Sequence, residues 1–249
     1  MKRENESDRV LLEYAARDAE ERMRPHFTRF LDPAGLAEAE EVRRGRSLAF
    51  VSWGGYDGAE RKIGCFYPEG EEPAESGFPV VCLRSPYNGR FASISHRDVL
   101  GAFMALGLTR SCLGDIIIGE TDVFLFAEKT SAPYIREQLD SAGRVRLSFQ
   151  ETDPAGLLPE PRGSYFRAVV PSLRLDAVMA AAYKTSRSRA ADWIRAGEAK
   201  ADHVVCTRTD HPVAAGTMLS VRGQGRVRLV SLDGTTRKDR IGITLFRFE

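Results

Sequence analysis

Residues 185–202, TSRSRAADWIRAGEAKAD, set Arg187, Arg189, Arg195 and Lys200 around an apolar stripe, in a chain whose 36 Lys+Arg nearly balance 35 Asp+Glu. Arginine suits phosphate because its planar fork donates two hydrogen bonds at once. The surplus is regional. Residues 165–249 hold 15 Lys/Arg against 8 Asp/Glu, net +7, whereas residues 1–164 hold 21 against 27, net −6. The basic third is therefore a candidate polyanion-binding module. Within it Arg174, Arg187 and Arg189 fall at or near expected helix starts, where backbone N–H groups and the helix dipole also favour anions.

Other reactive residue types give weaker patterns. Cys65, Cys82, Cys112 and Cys206 lie far apart with no C-x-x-C pair, so they read as reduced, mostly buried thiols. His203, Cys206 and His211 fall in a turn-like tract without ligand-pair spacing, and no metal site is expected. The Gly54-Gly55 and Gly58 cluster has neither a G-K-[ST] ending nor a following helix, which makes it a hairpin turn, not a phosphate loop. His96-Arg97-Asp98 lacks the Asn of a kinase catalytic loop, since Phe103 stands there, and reads as a helix start. No catalytic residue and no cofactor are expected.

At 249 residues the chain has room for two or three domains. The charged start MKRENESDRV and the lack of any long apolar run argue against a signal peptide or a membrane span, so a cytoplasmic protein is expected. Residues 10–24 place Val10, Leu11, Tyr14 and Ala15 at helical spacing before Pro25, predicting an amphipathic helix packed on the body. A turn at Asp32-Pro33 leads into a second helix, and SLAFVSWGGYDGAERKIGCFYP reads as strand, glycine turn, strand. This N-terminal α/β region covers residues 1–75.

The acidic tract EGEEPAESG marks the next boundary. Beyond it FPVVCLR, SHRDVLGAFMALG, DIIIG, DVFLFAE, SAPYIREQLDSAG and VRLSF run strand, helix, strand, strand, helix, strand. That βαββαβ order predicts a ferredoxin-like middle domain over residues 76–151, a fold that alone fixes no function. Pro154, Pro159 and Pro161 mark a linker at 152–164. In the basic third, Ser172 can cap a helix carrying Leu175, Val178, Met179 and Ala182. Ser186 can cap a second that buries Ala190, Trp193 and Ile194 and stops at Gly197. HVVCT, TMLSVRG and RVRLVSL follow as strands. The fold class expected is α+β and multidomain.

RLDAV (174–178), SRSRAADWIRAG (186–197) and Val213, Gly216 and LSVRGQGR (219–226) together resemble the S4 RNA-binding domain, which would span residues 165–249. With SHRDVLGAFMALGL and GDIIIGE in the middle domain, nearly the whole chain resembles the YlmH-like family of bacterial S4-domain proteins. The sequence departs from the S4 pattern at Ala199-Lys200-Ala201, in place of a β-branched strand, at Asp202-His203, where Asn-Gly is frequent, and at Thr217.

The resemblance implies a non-enzymatic, ribosome-associated protein that binds large-subunit rRNA, with tRNA as a further partner, in the handling of stalled nascent chains. It implies that Arg174, Arg187 and Arg189 meet RNA phosphates, with Lys184, Arg195, Lys200, Arg222, Arg226 and Arg228 as further contacts. A monomer without membrane association is expected. The competing class is an RNA-modifying enzyme, of pseudouridine synthase or methyltransferase type, using the S4 domain to hold its substrate. Against it, the RLD triplet at 174–176 lies inside the S4 helix, and SWGGYDG is followed by a strand. A third class, an RNA-independent module whose acidic half meets a basic protein, is compatible with RNA binding elsewhere.

Overall fold

The computed structural model describes residues 2–89, 93–160, 163–235 and 239–248. They form two compact units, Met1–Pro159 and Glu160–Glu249. The chain is mixed α/β, with six α-helices and several antiparallel sheets among the described residues.

The first unit opens with helix α1 (Lys2–Arg22), strand β1 (His26–Leu31), helix α2 (Pro33–Arg43) and strands β2 (Ala49–Trp53) and β3 (Lys62–Tyr67). Asp32 caps α2 by accepting from the Gly35 amide at 2.9 Å. The three strands form an antiparallel sheet with β3 in the middle. Helix α1 packs on α2 and β3 by a stripe other than the expected one. Leu12, Ala15, Ala16 and Ala19 are buried with Ala39, Val42 and Phe66, while Val10, Leu11 and Tyr14 are exposed. The alanines recur at i, i+3, i+4 and i+7 from Leu12, and their small side chains let the helix approach closely, which bulkier Leu11 and Tyr14 would prevent.

The same unit continues with strand β4 (Val80–Pro86), helix α3 (His96–Ala105), strands β5 (Leu113–Ile118) and β6 (Asp122–Glu128) and helix α4 (Ala132–Gln138). A small ribbon of β7 (Ser141–Ala142) and β8 (Val145–Arg146) precedes strand β9 (Gln150–Thr152). Strands β5, β6, β4 and β9 make an antiparallel sheet in that order. The strand that joins this sheet last is three residues at 150–152, not VRLSF at 145–149. Leu147 and Phe149 sink into the core instead, so the chain reaches the β4 edge only after them.

One face of this sheet, with Leu83, Val123 and Leu125, packs on Val99 and Phe103 of α3 and Ile135 of α4. The other face presents Cys82, Phe124 and Phe126 to Phe30, Ile63 and Cys65 of the first sheet. Burial pushes the Cys65 and Cys82 thiols up to about 12, so both stay protonated and behave as small apolar groups. Gly114 permits the close approach, since a Cβ there would lie 2.6 Å from the Phe30 ring. At the start of α3 the Asp98 carboxylate accepts from the Ser95 amide at 2.9 Å, and Ser95 accepts in return from the Asp98 amide. Asp98 is thus the N3 partner of Ser95 in a capping box.

The second unit runs strand β10 (Gly163–Val170), helices α5 (Leu175–Ala182) and α6 (Arg187–Arg195), and strands β11 (Ala199–Ala201), β12 (Val204–Val205), β13 (Met218–Val221), β14 (Gly225–Thr235) and β15 (Ile241–Phe248). All six strands share one antiparallel sheet in the order β10-β15-β14-β13-β11-β12. Both helices lie on one face, where Leu175, Val178, Met179, Ala190 and Ile194 meet Leu219, Val227, Leu229, Ile243 and Leu245. Strands β10 and β15 enlarge the sheet beyond the strands legible in the tail. No described helix of either unit is long and apolar enough to cross a membrane.

Candidate nucleic-acid interface

Helix α5 does not begin as its sequence suggests. Ser172 is not its cap; Arg174 holds the N-cap position with an extended backbone and makes no side-chain capping bond. The amides of Leu175 and Asp176 instead donate to the carbonyls of His211 and Thr209, at 2.8 and 3.1 Å. The loop before β13 has therefore taken two of the N–H groups that would otherwise have favoured an anion.

What remains at this corner is a pair of arginines on one carboxylate. Asp176 is 7% exposed. Its two oxygens accept from Arg174 Nε at 3.2 Å and Nη2 at 3.4 Å, and from Arg187 Nη2 at 2.8 Å. Burial disfavours the Asp176 charge, but the hydrogen bonds from Arg174 and Arg187 outweigh it and hold the carboxyl below its ordinary value. The carboxylate fixes both guanidiniums on the same side of the helix pair. Their side chains stay 45% and 49% exposed, leaving N–H groups for a further acceptor. Asp210 also acts on Arg174 but is paired with Arg208 at 3.5 Å, so the corner as a whole keeps a net positive charge that can serve a phosphate.

Helix α6 starts as expected. Ser186 Oγ accepts from the Arg189 amide at 3.2 Å, and the helix closes on Gly197 in the left-handed region, with Glu198 N donating to Trp193 O at 3.0 Å. The Arg189 guanidinium stands 5.6 Å above the Trp193 ring, which itself meets Tyr183 edge-on at 6.0 Å. Trp193 is half-buried against the core. Between the helices Lys184 adopts a left-handed backbone, φ +51°, and its ammonium lies 6.0 Å from the Phe166 ring.

Three residues the sequence did not single out secure this arrangement. Asp176 is the first. Arg247 on β15 donates to Ala182 O at the C-terminus of α5, at 2.6 Å, and lies 5.8 Å from both the Phe166 and Tyr183 rings. Tyr183 donates to Leu219 O at 3.2 Å or Gly225 O at 3.1 Å, and burial pushes its phenol up to about 12. The alternation in ITLFRF was the available signal for a strand that would carry Arg247.

The remaining candidates do not join this corner. Arg195 is exposed and pairs with Asp192 three residues earlier, at 3.4 Å. Arg222 is exposed in the turn between β13 and β14. Lys200, Arg226 and Arg228 alternate with the buried Ala199, Ala201, Val227 and Leu229 along their strands, so they sit on the sheet face opposite the helices. The basic third thus carries two positive surfaces: the helix pair, with Arg174 and Arg187 at one corner and Arg189 over Trp193, and an outer sheet face.

Residues 73–155 match the family model described as "Putative RNA-binding domain in YlmH". The chain is 35% identical over 232 residues to the ribosome-associated protein quality control protein P2 of Bacillus subtilis (strain 168), an alignment covering 93% of this chain and 90% of that protein. It is also similar in fold to the cell division protein ylmH from Streptococcus pneumoniae, with a TM-score of 0.54 and 21% identity, over 63% of this chain and 95% of that one. By its identity to the Bacillus protein along nearly its whole length, the chain belongs to the YlmH family.

Proposed function

We propose that this chain is a non-catalytic, cytoplasmic RNA-binding protein that docks on the large ribosomal subunit, contacting rRNA and peptidyl-tRNA, in quality control of stalled nascent chains. The observation that carries the reading is the convergence of Arg174 and Arg187 on the buried Asp176 in the unit that holds the net positive charge. Phosphate contacts made by such a corner fix register on folded RNA without reading sequence. The name of the Bacillus relative supports the ribosomal setting, and the family model over residues 73–155 supports an RNA contact in the first unit as well.

The proposed organisation is an N-terminal region 1–75, a ferredoxin-like domain 76–151, a linker 152–164 and an S4 domain 165–249. The βαββαβ order with β4 and β6 central supports the second assignment, and two short helices followed by antiparallel strands support the last. The proposed working form is a monomer.

The test is RNA affinity as a function of salt. Filter binding of large-subunit rRNA should weaken steeply between low and moderate salt, because each neutralised phosphate releases counterions. Arg174→Ala or Arg187→Ala should each lower the slope of log affinity against log salt by about one. A salt-insensitive complex, or slopes unchanged in both variants, contradicts the proposal.

A further inference from the structure

Cross-strand pairing sorts the outer sheet face into rows. Tyr165 on β10 pairs with Phe246 on β15, Phe246 with Arg228 on β14, and Arg228 with Met218 on β13. In the next row Phe248 lies beside Arg226, Arg226 pairs with Ser220, and Ser220 with Lys200 on β11. The aromatic rings form a connected series, with Tyr165 and Phe246 centroids 4.8 Å apart and Phe246 and Phe248 4.9 Å apart. Arg226 and Arg228 rest over the Phe248 ring at 5.3 and 5.4 Å. Tyr165 ends the series at the edge strand, 70% exposed.

We infer that this face is a stacking platform for single-stranded RNA, with an unpaired base on Tyr165 and the adjoining phosphates along Arg228, Arg226 and Lys200. The inference rests on the proposed RNA-binding reading and adds a second surface to it, on the side of the sheet away from the Asp176 corner. An exposed aromatic ring offers a flat face to any base, and guanidiniums held over a neighbouring ring bring positive charge alongside it, where the phosphates of a stacked strand would run. A duplex cannot use such a face, because its bases are stacked inside and its grooves present edges. Charge decides against an apolar protein partner. Among the described residues Lys200 and Arg228 form no ion pair, and covering the row with an apolar surface would desolvate them without compensation.

The experiment uses the full-length protein and two probes at low salt: a fluorescent oligouridylate, which stays single-stranded, and an RNA hairpin paired throughout except for a short, compact closing loop. Tyr165→Leu should weaken oligouridylate binding about tenfold and leave hairpin binding unchanged, whereas Tyr165→Trp should retain both. The Arg226→Gln, Arg228→Gln double variant should also lose oligouridylate affinity. Arg187→Ala with Arg189→Ala should show the reverse pattern, losing the hairpin and keeping oligouridylate. An undiminished oligouridylate affinity in Tyr165→Leu overturns the platform while leaving the proposed docking function standing. Failure of the wild type to bind oligouridylate does the same. Self-association that Tyr165→Leu abolishes, with no change in RNA affinity, would assign the face to a second copy of the chain and equally overturn it.

Discussion

Asp176 governs the helix-side corner although it offers no charge to a ligand. Its two oxygens are spent on Arg174 and Arg187, so the carboxylate sets where both guanidiniums stand. Because its folded-state value is depressed, Asp176 contributes stability that is present above the ordinary carboxylate range and lost as pH falls through the lowered value. Asp176→Asn is expected to cost about 1–3 kcal/mol at neutral pH and to remove that acid-side loss, as urea denaturation from pH 7 to below pH 4 would record. An unchanged pH profile would mean that the pair of arginines does not depend on the charge. Sequence shows Arg174 and Asp176 two positions apart, which suggests nothing structural; the third partner, Arg187, is eleven positions on and arrives only when α5 and α6 pack.

At the scale of elements, α6 was legible because its signals are local: Ser186 before it, an apolar stripe through it, Gly197 after it. The start of α5 was not, because a loop more than thirty residues later supplies the carbonyls that satisfy it. The same division explains α1, whose alanine stripe is less conspicuous than Val10, Leu11 and Tyr14 yet is the one that fits against a neighbouring helix. Strands β10 and β15 went unread for a different reason. GSYFRAVV begins inside a proline-rich tract that reads as linker, and IGITLFRF has no turn residue after it to mark its end. With them the aromatic row of the outer face was invisible. Asp202 and His203, both at positive φ, make the two-residue turn between β11 and β12 that Asn-Gly would make more readily.

Lys184 closes α5 at the left-handed position where glycine is usual, with Thr185 N donating to Ala180 O at 2.9 Å. A lysine there costs stability and places a cation between the two helices. Lys184→Gly should therefore raise the stability of the second unit by up to about 1 kcal/mol while weakening RNA binding, seen as opposite shifts in melting temperature and affinity. Equal RNA affinity in the variant would assign Lys184 no part in binding.

On the scale of the whole molecule, charge and architecture divide at nearly the same place. The net +7 of residues 165–249 falls within the unit Glu160–Glu249, and the acidic majority belongs to Met1–Pro159. Two units with separate cores should unfold as two calorimetric transitions. Tyr183→Phe, which removes a half-buried hydroxyl tied to the β13–β14 hairpin, should destabilise only one of them, by about 1 kcal/mol. A single transition shifted as a whole would show that the units are energetically one body.

We propose the second unit as a ribosome-docking module built on its helix-side arginines. Sucrose-gradient co-sedimentation with dissociated ribosomal subunits tests it most directly, comparing the wild type with Arg187→Ala, Arg189→Ala at low and moderate salt. The wild type should travel with the large subunit at low salt, moderate salt should weaken the association, and the double variant should stay at the top of the gradient. A double variant that co-sediments like the wild type, or a wild type that binds neither subunit, would contradict it.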